Sequence, residues 1–103
     1  MNQYIENLKQ SETVNRVKSE DGNIYGIRVL GRGENLFFQE NDQALICQVD
    51  AVNSIIYTRS IKSWEGQKKM SQSEKERVTA LIEKYYQKVY SPNKEVILSD
   101  RNP

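Results

Sequence analysis

The stretch that decides the fold is Ile55-Ile56-Tyr57-Thr58-Arg59-Ser60-Ile61, then Lys62-Ser63-Trp64, a polar loop, and Ser71-Gln72-Ser73-Glu74 onward to Tyr90. The run Ile55–Ile61 is rich in β-branched and aromatic side chains, which predicts a strand. The chain's single tryptophan follows, placed to cover the strand-to-helix crossing. Beyond Ser71 the apolar period becomes helical. Val78, Leu81, Ile82, Tyr85 and Val89 recur at i, i+3, i+4, i+7 and i+11, one stripe along a helix. Ser71 with Glu74 reads as a capping box in which Glu74 reaches back to the cap, and Ser73 with Glu76 repeats it two residues on. Glu74 and Glu76 suit the positive end of the helix dipole, and Lys84 and Lys88 suit the negative end. Ser91-Pro92 ends the helix, which therefore spans Gln72–Tyr90, about 28 Å.

Working back from this unit, the alternation is that of strands. Ala44 to Val52 sets Leu45, Cys47, Val49 and Ala51 against Ile46, Gln48 and Asp50. Asn35–Glu40 sets Leu36 and Phe38 against Phe37, and Ile24–Leu30 puts Tyr25, Ile27 and Val29 on one face. Asp21-Gly22-Asn23 is a hairpin turn, so Thr13–Lys18 pairs with Ile24–Leu30. Val14 and Val17 break strict alternation in that first strand. Residues 1–11 carry Tyr4, Ile5 and Leu8 at spacings that fit a short helix or a loosely docked terminus. After the helix, Lys94–Ser99 forms a last strand with Val96 and Leu98 opposite Ile97. The fold class that follows is α+β: a twisted, antiparallel sheet of five to six strands packed on one long helix. Residues 1–103 read as a single domain, a length that can bury one core without staples.

Composition bounds the function. The chain has one cysteine and no histidine. Cys47 therefore has no histidine to activate it, and it reads as a small core side chain of a protein kept in a reducing cytoplasm. Ser-His-Asp machinery and most zinc sites are excluded, and no cofactor or metal site is expected. The acids are scattered, which argues against an enzyme built on paired carboxylates. No apolar run approaches a membrane span. Gly31-Arg32-Gly33 lacks the remainder of a phosphate loop and reads as a strand-to-strand turn. Glu34-Asn35-Leu36-Phe37-Phe38-Gln39 is close to a potyviral protease site, a coincidence within a strand.

Charge divides along the chain. Residues 1–58 hold five Lys/Arg and eight Asp/Glu, and residues 59–103 hold ten and six. Asp21, Glu34, Glu40, Asp42 and Asp50 lie in or beside consecutive strands and turns, and they are the candidate partner-binding residues, an acidic patch suited to a basic protein. On this reading, charge reversal at Glu40 and Asp42 slows association. In the second half, Lys68, Lys69, Lys75, Arg77, Lys84 and Lys88 near Trp64 and Tyr86 offer an alternative, a basic helix face for nucleic acid. Glu65, Glu74, Glu76 and Glu83 interleave with them, which favours a solvated face laced with ion pairs.

The segment Ile56–Trp64, with Met70-Ser71, Arg77, Leu81-Ile82 and the terminal strand, resembles a family of small bacterial immunity proteins. That family accompanies polymorphic toxins and contact-dependent growth inhibition systems. The resemblance covers roughly Asn35 to Leu98 and departs after the tryptophan, where Glu65-Gly66 stands in place of a frequent proline. It implies a non-catalytic protein that binds and blocks a cognate toxin domain in the cytoplasm. Many such toxins are nucleases with basic clefts, which the acidic candidates would suit.

Overall fold

Two-residue alternation builds the middle of the sheet: β2 (Ile24–Leu30), β3 (Asn35–Glu40) and β4 (Gln43–Asp50). The computed structural model describes residues 2–103. Across these strands, Ile27 opposes Phe38, which opposes Leu45, and Val29 opposes Leu36, which opposes Cys47. Their shared face is the main core. Helix α2 (Gln72–Tyr90) lays Val78, Ile82, Tyr85 and Tyr86 on it. The buried stripe is rotated from the expected one. Tyr86 is fully buried, while Leu81 and Val89 pack at the margin. Trp64 is 3% exposed and stacks on Phe38 with ring centroids 6.3 Å apart, so it is core, as its sequence position indicated. Tyr25 and Tyr85 stack at 4.8 Å across the sheet–helix boundary.

The opposite face carries a second, smaller core. Helix α1 (Gln3–Lys9) buries Ile5 and Leu8 against Val14, Leu30, Phe37 and Ala44. Of the two readings open for residues 1–11, the short helix is the one formed. Asn2 caps it, its side-chain oxygen accepting from the amides of Tyr4 (2.9 Å) and Ile5 (3.3 Å). The Arg16 guanidinium donates to the carbonyls of Leu8, Lys9 and Ser11, where the helix dipole is negative. Two covered faces also explain the broken alternation in the first strand. Val14 joins the α1 side and Val17 the α2 side.

The sheet runs β1 to β6 in chain order, with β1 (Asn15–Lys18) at one edge and β6 (Ile97–Ser99), beyond β5 (Ile55–Tyr57), at the other. One pairing differs from expectation: β6 lies parallel to β5, so the sheet is mixed. The crossover between them contains α2, which supplies the length that a parallel connection needs. The strand read over Ile55–Ile61 ends at Tyr57, and Thr58–Ser60 turn as one 3-10 step. The Ser60 hydroxyl causes this. It donates to the Tyr57 carbonyl (2.6 Å) and accepts from the Gln48 amide (2.8 Å), taking the ladder position the backbone would have filled. The final strand is likewise shorter than Lys94–Ser99, and Val96 is buried just before it.

A polar knot anchors β6. The Gln87 amide nitrogen donates to the carbonyls of Ser91 and Lys94, and its oxygen accepts from the Val96 amide (3.2 Å). Ser54 and Ser91 are buried with their hydroxyls 3.0 Å apart, and the Ser54 carbonyl accepts from the Ile97 amide (2.8 Å). Ser54 adopts φ 54°, a left-handed value, to make that turn.

Candidate binding surface

Antiparallel hairpins send consecutive turns to alternate ends of a sheet, and this sorts the five acidic candidates. Asp21, Glu40 and Asp42 lie at one end, where Asn41 bonds across to Asn23 and Ile24. Glu34 and Asp50 lie at the other, where the Ala51 amide meets the Gly33 carbonyl at 3.0 Å. Strands of six residues keep the two groups about 20 Å apart. The five acids are therefore not one patch.

Their local roles differ. Asp21 accepts from the Ser19 hydroxyl and the Asn23 amide, which hold its carboxyl below the usual value. Asp50 does the same for Asn53, with the side-chain amide at 2.8 Å. Glu34 accepts from the Arg32 amide at 2.9 Å. Asp42 is exposed in its turn. Glu40 is only 6% exposed and is gripped by Arg77 through two bonds of 2.7 and 2.8 Å. Charge reversal there would place a cation against Arg77 inside the fold, so it reports on folding and not on association.

Arg77 also holds Glu74 at 2.8 and 3.0 Å, and Glu74 accepts from the Trp64 indole at 3.1 Å. Hydrogen bonds from Arg77 lower the Glu40 carboxyl, and those from Arg77 and Trp64 bring Glu74 down to about 2. This network is structural. It joins the β3 end, the tryptophan and the first turn of α2. It also changes the capping box: Ser71 accepts from the Glu74 amide at 3.2 Å, but the Glu74 side chain faces Arg77 and Trp64 instead of returning to the cap. The basic helix face loses its proposed parts in the same way, since Arg77 is paired and Trp64 and Tyr86 are buried. Cys47 is enclosed and its thiol is pushed up to about 12 by burial, so at neutral pH it carries no thiolate.

The open surface is elsewhere. Helix α1 covers only part of its face of the sheet. Two rows beyond it are left partly exposed: Asn35–Gln48–Tyr57–Ser99, and Asp50–Ile55–Ile97. Val52, Ile97 and Leu98 are 82%, 50% and 40% exposed, which gathers apolar surface at the β5–β6 edge. Beside Tyr57, a depression of about 380 Å³ is bordered by Arg59, Lys62 and Arg101. A second, of about 230 Å³, shares Arg59 and Lys62 and adds Lys69 and Lys75. Composition does not reveal this grouping, because Arg101 stands far along the chain from Arg59 and Lys62 and only the fold brings them together. The expectation of a basic area near the start of α2 was legible; its extension over the sheet was not. Comparison of the chain with protein-family models, curated proteins and solved structures finds no match.

Proposed function

We propose that the chain is a non-catalytic protein-binding module and, within that class, an immunity protein that neutralises a cognate bacterial toxin domain by covering it. The observation that carries the reading is the partly uncovered sheet face at β4–β6. It offers exposed Val52 and Ile97 beside Tyr57, with arginines alongside, and Leu98 is exposed at the same edge. Apolar and tyrosine surface bordered by arginine is the composition that protein interfaces favour. The short β6 edge adds free backbone groups to which a partner strand can pair. The resemblance carried by Ile56–Trp64 and Ser71–Ile82 supplies the kind of partner. Glu34 and Asp50, of the acidic candidates, flank this surface, while Asp21 and Asp42 lie at the far end.

Co-expression tests this. The reading frame directly upstream in the source genome is expressed alone and together with this chain. The expected result is growth arrest alone, recovery with the chain present, and a stoichiometric complex on gel filtration. Absence of both recovery and complex overturns the reading. An Ile97→Glu variant should lose protection at unchanged melting temperature, because Ile97 is half exposed and adds little to the core.

A further inference from the structure

We propose that the two joined basic depressions are the seat for an acidic surface of a protein partner, one rich in Asp and Glu side chains. The inference rests on the binding-module reading above and specifies the chemistry of what binds. Arg59, Lys62, Lys69, Lys75 and Arg101 surround the depressions, and among the described residues no Asp or Glu side chain lines either one. Among the described residues, none of these five cations takes part in a salt bridge. Four of them are exposed and Lys75 is half-buried. In a chain with a net charge of only +1, such a grouping is a local field that the whole molecule does not predict.

Two features favour carboxylates over phosphates. Among the described residues, Tyr57 is the only aromatic side chain lining either depression, and it is half-buried, whereas single-stranded nucleic acid needs successive stacking platforms. The apolar edge of Val52 and Ile97 is continuous with the same sheet face, which suits a protein and offers nothing to a phosphate backbone. The start of α2 adds to the attraction, because Gln72 and Lys75 at its first turn line the second depression. The partner surface complementary to this site is thus acidic, opposite in sign to the one expected from the acidic residues of the first half.

The test uses the full chain with two labelled probes, a poly-glutamate peptide and an oligouridine of equal charge, followed by fluorescence anisotropy across a salt series. The peptide is expected to bind with salt-sensitive affinity, and the double variant Arg59→Glu/Lys62→Glu to lose it by about tenfold or more. Lys88→Glu, exposed on the other side of α2, should leave peptide binding unchanged. Circular dichroism of each variant verifies that the fold persists. Peptide binding that the double variant retains, or oligouridine bound more tightly than peptide at physiological salt, overturns the proposal. Growth protection separates the two readings. If the double variant still protects, the acidic-partner surface is wrong and the immunity reading stands. If the unaltered chain gives no protection yet binds the peptide as described, the immunity reading falls and the surface stands.

Discussion

Arg77 shows most clearly what single residues do here. Its guanidinium satisfies a carboxylate that is almost fully enclosed, Glu40, and a second one, Glu74, which in turn holds the Trp64 indole. Removing the cation leaves Glu40 buried without a countercharge. Arg77→Met is expected to cost about 2 kcal/mol or more, a fall in melting temperature on the order of 10 °C by calorimetry. The same pair makes stability depend on pH. Both carboxyls sit below their ordinary values in the fold, so the unfolded chain takes up protons first as pH drops. The contribution is complete above about 4.5 and drains as pH approaches about 2, the folded value for Glu74. Urea midpoints measured at neutral pH and at pH ~3 should therefore fall further for the unaltered chain than for Arg77→Met. Tyr90 has a comparable local task. Its hydroxyl accepts from the Val29 amide at 3.0 Å and the Asn15 side chain at 3.1 Å, past the end of β1. Tyr90→Phe should cost about 1 kcal/mol and expose the Val29 amide to hydrogen exchange.

At the scale of elements, local signals and tertiary demands divide the work. Helix α2 starts and stops where its sequence says, at Ser71 and Ser91, because a cap hydroxyl and Pro92 act within one turn. The strand β5 does not end where its composition says. A serine hydroxyl reaching across to β4 decides that, and propensity for a strand through Ile61 does not outweigh two well-formed bonds. Within α2, the Gln87 side chain ties down the segment that leads into β6. Gln87→Ala removes its bonds to Ser91, Lys94 and Val96, and it should cost about 1–2 kcal/mol with the loss concentrated in amide protection over residues 94–99. Helix α1 is held by burial. Leu8→Ala is expected to cost about 2–3 kcal/mol by denaturant unfolding, since Leu8 packs with the fully buried Phe37.

At the scale of the whole molecule, the sequence by itself determined what depends on neighbours along the chain. It determined the α+β class, the three central strands with their inward faces, the long helix and its ends, and the core role of Trp64 and Cys47. Alternation, capping and helical period are short-range properties, and they survive into the fold because burial rewards the faces they mark. Tertiary structure alone decided the rest. It made the last strand pairing parallel, closed a second core under α1, and separated five acids of consecutive strands and turns onto two ends of a sheet. It also drew Arg59, Lys62, Lys69, Lys75 and Arg101 together around two adjoining depressions. The physical reason is that charges carry no period. Their energies depend on distance through space, and that distance is fixed only once the apolar faces have chosen their partners.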